Sequence, residues 1–374
     1  MWGAQQPQAQ ALDFKVPGPP HDSISSLAMS STGILMAGAW DNSLRCWQVQ
    51  KQGNQVMANP AAQAAHDAPV LSCCFSTDGA YAFSGGADNS VRMWQLGAQP
   101  APVRLGAHDA PVKSVHWVNE LNMLVTGGWD NTVRFWDVRQ SKEALKLQLD
   151  GKVYCMDVKF PYMAVSTSNL SAPEQGELNF PSPAVHLYSL NQQSPLLHGN
   201  KPIKLSLKHQ TRCISLFSGG HVGFGVGSAE GRVEIKDLHE PHNKKKNFAF
   251  KCHRFKDRNR SNPHAKIEYS VVYPVNEICW HPNGCFATVG SDGVFNFWDK
   301  NEKQRLKEFK LGEGCRAGQA NQAISACCFN PQGDIFAYAM SYDWLKGREG
   351  HNPSNEIYLH PVLGPEITPP KKQR

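Results

Sequence analysis

The stretch Asp88-Asn-Ser-Val-Arg-Met-Trp94 decides the fold, because the chain repeats it at a regular spacing. Two near-copies are Asp41-Asn-Ser-Leu-Arg-Cys-Trp47 and Asp130-Asn-Thr-Val-Arg-Phe-Trp136, so successive copies begin 47 and 42 residues apart. A fourth copy is Asp292-Gly-Val-Phe-Asn-Phe-Trp298. Weaker versions keep the alternation of apolar residues without the tryptophan: Ala184–Tyr188, Glu230–Lys236 and Asn355–His360. The chain therefore contains seven related units.

A repeat of about 40 to 45 residues is typical of the four-stranded blades of a β-propeller. In the third unit, four runs rich in β-forming residues fit this pattern: Val112–Val118, Met123–Thr126, Thr132–Val138 and Ala144–Leu149. No apolar stripe of helical period interrupts the units, which argues against an α/β fold. The sequence predicts an all-β fold, a seven-bladed propeller of the WD-repeat (WD40) type.

Four residue types recur at fixed offsets in two successive units. The separations are 18, 4 and 6 residues in both, and the two sets are His66, Ser84, Asp88, Trp94 and His108, Thr126, Asp130, Trp136. These types suit a buried chain of hydrogen bonds from indole to hydroxyl to imidazole to carboxylate. A catalytic triad is the alternative interpretation. Because the first unit has Ala37 in place of the hydroxyl and the sixth has no evident histidine, we interpret the sets as structural tetrads.

The two ends of the chain are predicted to meet in the last blade. The seventh unit offers only three strands, Ala323–Phe329, Asp334–Met340 and Glu356–Leu359, while a spare run, Leu12–Val16, precedes the first unit. Pairing that run with the last blade would remove an open sheet edge. The predicted organisation is a flexible tail over 1–10, a propeller over 11–362 and a C-terminal tail over 363–374.

Composition is consistent with a globular, non-catalytic protein. Hydrophobic residues make up 41% of the 374 positions and charged residues 19%, and no apolar run approaches the length of a membrane span. The eleven cysteines include no C-x-x-C pair, so we interpret them as reduced, buried thiols rather than disulfides or metal ligands. No phosphate-binding loop, zinc motif or nucleophile elbow occurs. We expect no enzyme activity, cofactor, metal or small-molecule substrate, and no insertion into a membrane.

Positive charge is concentrated in an insertion between the fifth and sixth units. Residues 241–266 contain six Lys, three Arg and one acidic residue, a net charge of +8 against +6 for the whole chain. Lys251 and Arg254 belong to this insertion, and the phenylalanines Phe248, Phe250 and Phe255 are interleaved. Cations for phosphates beside aromatic faces suit single-stranded nucleic acid. A solvated loop, or core positions for Phe248 and Phe250 in an outer strand, are the alternatives.

Three other irregular segments break the repeat. A second basic stretch contains Lys300, Lys303, Arg305, Lys307 and Lys310, and we expect it to lie beside the insertion. A polar stretch over 174–183 is interpreted as a surface loop of the fourth blade. The segment 341–353 replaces a tight turn in the last blade and carries Trp344 and Lys346. Trp344 is either an exposed anchor for a partner or a ring folded back on the blade.

Several motifs together closely resemble a known family. They are Cys252-His-Arg254, Ala287-Thr-Val-Gly-Ser-Asp-Gly293, Phe297-Trp-Asp-Lys300, Ile324-Ser-Ala-Cys-Cys-Phe-Asn330 and Ser341-Tyr-Asp-Trp344. With them, the chain from His21 to Pro353 resembles the WD-repeat messenger-RNA export factors of the nuclear pore. The N-terminus, the 174–183 loop and the long basic insertion depart from the family.

The resemblance implies a partner, a ligand and a location. Members of the family bind the GLEBS motif of a phenylalanine-glycine (FG) nucleoporin and support poly(A) RNA export, with a mitotic spindle role in some organisms. It places the protein in the nucleus, at the nuclear envelope and pore complex, and also in the cytoplasm. It assigns single-stranded RNA contacts to Arg232, Phe250, Trp298, Lys300, Lys303 and Arg305.

Two other functions are compatible with the blades. A sister propeller of the spindle checkpoint binds GLEBS-like segments of kinases, but is not expected to carry the Cys-His-Arg motif or the Ser-Tyr-Asp-Trp loop. A generic WD-repeat adaptor subunit would lack both signatures. Partners recovered from nuclear extract distinguish these alternatives.

Overall fold

A computed structural model describes residues 13–96, 102–171, 182–191, 202–218, 222–239, 243, 245–262, 267–310, 322–350 and 354–369. These residues form seven four-stranded antiparallel sheets and one two-stranded sheet. The innermost strands contact one another in cyclic order, and the last blade touches the first. The predicted all-β, seven-bladed propeller is confirmed.

The strands, numbered in chain order, follow the repeat. A short first strand is β1 (Phe14–Lys15). Blade 1 contains β2 (Ile24–Met29), β3 (Ile34–Ala39), β4 (Ser43–Gln52) and β5 (Gln55–Ala65). Blade 2 contains β6 (Val70–Phe75), β7 (Tyr81–Gly86), β8 (Ser90–Gln95) and β9 (Val103–Ala107). Blade 3 contains β10 (Val112–Val118), β11 (Met123–Gly128), β12 (Thr132–Asp137) and β13 (Lys142–Gln148). Blade 4 contains β14 (Val153–Lys159), β15 (Tyr162–Ser171), β16 (Ser182–Ser189) and β17 (Ile203–Lys204).

The second half of the ring is less regular. Blade 5 contains β18 (Thr211–Leu216), β19 (Gly223–Ser228), β20 (Arg232–Asp237) and β21 (Phe248–Lys251). A hairpin follows, made of β22 (Arg254–Asn262) and β23 (Ile267–Val272). Blade 6 contains β24 (Val275–Trp280), β25 (Phe286–Gly290), β26 (Val294–Asp299) and β27 (Gln304–Lys310). Blade 7 contains β28 (Ala323–Phe329), β29 (Ile335–Ser341) and β30 (Glu356–Pro361), completed by β1.

Each junction between neighbouring blades encloses one cluster of buried apolar side chains, seven in all. Close approach at these junctions depends on glycine at the end of the second strand. A Cβ atom placed on Gly85 would lie 2.5 Å from the Val112 side chain of the next blade. The first glycine of this Gly-Gly pair therefore allows close packing between blades, whereas a Cβ atom on the second, Gly86, would meet His66 and Asp88 of the tetrad.

The predicted closure of the ring is confirmed, because β1 pairs antiparallel with β30. Asp13 fixes this strand from its buried side. Its carboxylate accepts hydrogen bonds from the Tyr338 hydroxyl at 2.5 Å and from His360 Nδ1 at 2.7 Å. The other ring nitrogen of His360 lies 3.0 Å from Glu366 Oε2. Two carboxylates thus hold one buried imidazole and raise its pKa to about 9 despite its burial.

The C-terminal boundary differs from the prediction. A 3₁₀ turn, Gly364–Glu366, carries the buried Glu366 that contacts His360, and Ile367 packs against the junction of blades 6 and 7. The propeller therefore extends beyond residue 362, because the contact of Glu366 with His360 and the apolar packing of Ile367 hold this 3₁₀ turn against it. The other helical segment among the described residues is also a single 3₁₀ turn, and none of these helices is long and apolar enough to cross a membrane.

The structure contains the hydrogen-bonded tetrads of blades 2 and 3. His66 Nε2 lies 2.7 Å from Ser84 Oγ, His66 Nδ1 lies 3.0 Å from Asp88, and the Trp94 indole donates to Ser84 at 3.0 Å. The same links in blade 3 measure 2.7, 3.0 and 2.8 Å. These side chains are buried and tie turns to strands.

Blade 6 has a complete tetrad, contrary to the sequence interpretation. His253 supplies the missing imidazole: Nδ1 lies 2.8 Å from Asp292 and Nε2 lies 2.9 Å from Thr288 Oγ1. The Trp298 indole donates to the same hydroxyl at 3.0 Å. The histidine was missed because the β22–β23 hairpin separates it from Thr288 by 35 residues instead of 18.

Candidate nucleic-acid and partner interfaces

The ring has two faces that carry different turns. The upper face carries the turns between the second and third strands of each blade, which include Trp40, Trp129 and Trp344. The lower face carries the turns between first and second strands and between third and fourth strands. Because the strands of every blade alternate in direction, a residue's turn assigns it to a face.

The predicted basic segments do meet, at the lower face between blades 5 and 6. We call this site the lower groove and define it by Phe217, Phe248, Phe250, Trp298, Lys300 and Lys303. The Lys300 ammonium lies 4.4 Å from the centroid of the Phe217 ring, and the Lys303 ammonium lies 4.5 Å from that of Phe248. Both cations come from the β26–β27 turn of blade 6, whereas both rings belong to blade 5. These are cation–π contacts across the blade junction.

Electrostatics in the lower groove favour an anionic ligand. Neither Lys300 nor Lys303 forms an ion pair with any residue that the structure describes. Partial burial lowers the pKa of Lys300, the Asp237 and Asp299 carboxylates oppose this shift, and the neighbouring Lys246 ammonium acts in the same direction as burial. Lys245 and Lys246 are exposed at the adjoining end of blade 5. Two ammonium groups that form no salt bridge within the described residues, near a third, can bind phosphate oxygens.

The aromatic side chains of the groove are partly committed to packing. The Phe250 and Trp298 rings lie 4.7 Å apart across the junction, and both pack on its buried apolar cluster. The indole nitrogen of Trp298 is bonded to Thr288 in the blade 6 tetrad. Both rings are half-buried. Phe250 is therefore a wall of the groove as well as a core residue of the outer strand.

The other predicted contacts are less accessible or lie elsewhere. Arg305 is paired with Glu308 at 2.6 Å within its own strand. Arg232 and Lys251 face each other at the upper end of blade 5, three residues or about 10 Å along β21 from Phe248. The Arg254 guanidinium donates to the carbonyl oxygens of Glu230 and Gly231, at 3.0 and 3.1 Å.

The basic residues of the two segments therefore do not form one continuous surface. Lys300 and Lys303 lie in the lower groove, whereas Arg232 and Lys251 lie at the upper end of blade 5. Arg254 is a structural residue, because it fixes the base of the β22–β23 hairpin to blade 5. The 241–266 insertion is itself partly regular, since it contains β21, β22 and the tetrad histidine. Most of the 174–183 loop lies outside the described residues.

The upper face surrounds the mouth of a central channel of about 800 Å³. Three large aromatic side chains from different blades line this channel and remain exposed: Trp40 is 48% exposed, Trp129 37% and Trp344 52%. We call these three residues the tryptophan rim. Trp344 has a left-handed backbone (φ 60°) and contacts Tyr342 at a ring distance of 5.8 Å. The Trp344 ring is thus exposed rather than buried against the blade, and Lys346 beside it is also exposed.

Charged side chains line the same channel. Lys113 and Arg212 contribute cations, and Glu277 contributes a carboxyl group whose pKa burial raises to about 7. Burial also lowers the pKa of Lys113. Arg212 is exposed and forms no ion pair within the described residues. Asp22 and Asp343 add two acidic side chains, so the channel presents tryptophans at its mouth and charged groups of both signs inside.

Sequence reasoning missed Trp40, Trp129 and Phe217 as site residues. A signal existed for the first two, since each immediately precedes the turn aspartate of its repeat, where the second unit has Ala87. Phe217 gave no such signal, because it lies in a separate turn 83 residues before Lys300. Within the described residues, no cluster of His, Cys, Asp and Glu side chains could hold a metal ion.

The fold, the tetrads and the exposed turns define a WD-repeat propeller whose two faces are suited to binding other macromolecules. The "WD domain, G-beta repeat" family model matches residues 15–48, 61–95, 102–137 and 270–299. The chain is also similar to full-length relatives. It is 45% identical over 352 residues to "Protein RAE1" of Arabidopsis thaliana, covering 93% of this chain and 90% of that protein.

Animal relatives show the same extent of similarity. The chain is 39% identical to the "mRNA export factor" of Danio rerio and 40% identical to that of Sus scrofa, each over 356 residues, 93% of this chain and 88% of the relative. Identity at this level over nearly the whole length establishes the family. The chain belongs to the WD-repeat mRNA export factor family.

Proposed function

We propose that this chain acts in mRNA export as a non-catalytic scaffold at the nuclear pore, holding single-stranded RNA in the lower groove and a GLEBS-type segment of an FG nucleoporin on the upper face. The names of the relatives support the role in export. The lower groove supports the RNA ligand, since Lys300 and Lys303 form no salt bridge with any described residue and stand beside aromatic walls.

The RNA contact is testable through its salt dependence. Each phosphate contact with single-stranded RNA contributes about 0.7 to the slope of log affinity against log salt, or about fourfold in affinity at 0.15 M salt. We therefore expect Lys300→Gln with Lys303→Gln to lower the slope by about 1.4 and the affinity for a poly(A) oligonucleotide about 14-fold. Fluorescence anisotropy at several salt concentrations measures both quantities.

A matched control is available in the regular blades. Lys142→Gln with Lys152→Gln removes the same net charge from exposed positions of blades 3 and 4. We expect this control to keep most of the wild-type affinity, because its lysines lie far from the groove. Equal losses in the two double variants, or no binding by the wild type, would contradict an RNA site in the lower groove.

The nucleoporin contact is proposed for the tryptophan rim. Exposed tryptophans surrounded by polar groups are the residues that most often dominate binding energy at interfaces. We expect Trp40→Ala with Trp129→Ala to weaken binding of a GLEBS-containing nucleoporin fragment by at least about 30-fold. Leu145→Ala is the control, since Leu145 is 44% exposed on the outer strand of blade 3.

The two proposed sites lie on opposite faces, so each double variant should spare the other activity. Recovery of FG nucleoporins from nuclear extract by the wild type supports the export scaffold. Recovery of checkpoint kinases without nucleoporins would favour the spindle-checkpoint adaptor, and recovery of neither would favour a generic adaptor. Imaging of a tagged chain at the nuclear rim tests its location.

A further inference from the structure

Two phenylalanines of blade 5 lie beneath the two lysines of the lower groove. Phe217 lies in the β18–β19 connection and is 5% exposed, and its ring makes an edge contact with Trp280 at 4.7 Å. Phe248 begins β21 and packs against the same buried cluster. Both rings are held by the core, so the face that each presents to an ammonium group is fixed in position.

The turn that carries the lysines is also fixed. Asp299 Oδ1 accepts hydrogen bonds from the backbone nitrogens of Asn301 at 2.7 Å and Glu302 at 3.0 Å. Lys303 then adopts a left-handed backbone, with φ 53°. Blade 3 has the same turn, in which Asp137 accepts from Arg139 and Ser141 has φ 47°. A glycine would occupy this position without strain, yet the chain has a lysine there.

We propose that Phe217 and Phe248 are positioning residues, which hold Lys300 and Lys303 as preformed phosphate-binding cations of the lower groove. This inference rests on the proposed RNA site and specifies how that site obtains its affinity. A free lysine loses much rotamer freedom when its ammonium group is immobilised on a ligand. A cation already held over a ring loses less, and its remaining N–H donors can face a phosphate.

Loss of the ring and loss of the cation have different signatures. Phe248→Leu keeps an apolar side chain and both lysines, so we expect RNA affinity to fall about two- to fivefold with an unchanged salt slope. Phe217→Leu with Phe248→Leu should lower affinity about 4- to 20-fold, again at constant slope. Lys303→Gly, by contrast, should lower the slope by about 0.7 while leaving the melting temperature unchanged or higher.

Rescue separates positioning from a general effect on folding. Phe248→Tyr keeps an aromatic face, so we expect this variant, unlike Phe248→Leu, to bind a poly(A) oligonucleotide with wild-type affinity. The melting temperature of each variant is measured alongside, since Phe217 is buried. Wild-type affinity in Phe248→Leu, or an equal loss of affinity in Phe248→Leu and Phe248→Tyr, would overturn the positioning role. Failure of the wild type to bind RNA would instead refute the proposed function on which it rests.

Discussion

Closure of the propeller gives a quantitative test, through the half-buried Asp13 carboxylate that anchors the first strand. Asp13→Ala removes the acceptor of two hydrogen bonds, from Tyr338 and His360. His360 is only 3% exposed and keeps one carboxylate, Glu366. The substitution therefore leaves a buried hydroxyl without its acceptor and weakens the stabilisation of a buried cation.

The magnitude follows from the pKa of His360, which rises from an ordinary value of 6.5 to about 9. At about 1.4 kcal/mol per pKa unit, the charged imidazole contributes about 3 kcal/mol to the free energy of unfolding. Because Glu366 remains, roughly half of this, about 1.5 kcal/mol, is lost with Asp13, and an unfolding entropy of about 2.1 cal/mol/K per residue over 374 residues converts it into a melting temperature lower by about 2 °C. The neutral hydrogen bonds lost with Asp13, including that of the Tyr338 hydroxyl, add about 2 °C more. Because the pKa is raised on folding, the stabilisation by the charged imidazole is full below pH 6.5 and is lost as pH rises through about 9.

Differential scanning calorimetry at pH 6.5 and pH 10 tests both parts of the reasoning. We expect the difference between wild type and Asp13→Ala to be about 4 °C at the lower pH and about 2 °C at the higher, where neutral hydrogen bonds remain. Lys15→Met is the control, because its pair with Glu356 is exposed and should contribute less than about 1 kcal/mol. A fall in melting temperature for Asp13→Ala that is no larger than that of the control, or that does not change with pH, would refute the proposed stabilisation by the charged His360 imidazole.

The remaining predictions concern other structural contacts. Deletion of residues 11–17 removes β1, the buried Val16 and the carbonyl oxygen of Pro17 that accepts from Trp47, so its melting temperature should fall at least twice as far as that of Asp13→Ala. His253→Ala should cost about 2 to 4 kcal/mol by calorimetry, because it removes one hydrogen bond from each of two buried tetrad partners, Asp292 and Thr288. His21→Ala, an exposed ring in the first unit, is its control and should change nothing measurable. Burial raises the pKa of the Cys46 and Cys73 thiols to about 12, so iodoacetamide at neutral pH should label them only after unfolding, as a mass spectrum would show.

The tetrads show how far the spacing of residues predicts contacts. In blades 2 and 3, the histidine lies just before the first strand and the hydroxyl lies on the second strand, so a constant offset of 18 residues gives a constant geometry. In blade 6, an inserted hairpin changes the offset and leaves the geometry intact. A hairpin returns the chain to its starting point, so an insertion can lengthen the sequence without moving the atoms that meet.

The lower groove shows what spacing could not predict. The basic segments were evident from charge alone, and their proximity followed from the order of the blades. The Phe217 ring beneath Lys300 could not be predicted, because this contact joins turns of different blades and depends on which ends of the strands meet. Trp40 and Trp129 of the tryptophan rim were missed for another reason. The tryptophans that end the repeat motif in blades 1 to 3 are buried, and only the structure shows that Trp40 and Trp129, one position before the turn aspartate, are exposed.

The residue types that adopt a left-handed backbone differ between blades 1 to 3 and the second half of the ring. Among the described residues, eight other than glycine have a left-handed backbone. The five in blades 1 to 3 are four asparagines and one serine, small polar types, of which asparagine is especially tolerant of this conformation. The three in the second half are His253, Lys303 and Trp344, which have larger side chains; of these types only histidine is enriched in this conformation.

Each of those three side chains has a specific contact or exposure that a turn-forming residue could not supply. His253 completes a tetrad across the hairpin, Lys303 lies over Phe248, and Trp344 stands half-exposed at the channel mouth. Strain that persists in a folded protein must be offset by the surrounding structure, and it is commonly found at functional sites. At Lys303 and Trp344 the left-handed backbone therefore coincides with the proposed RNA and partner contacts, whereas at His253 it accompanies a structural tetrad.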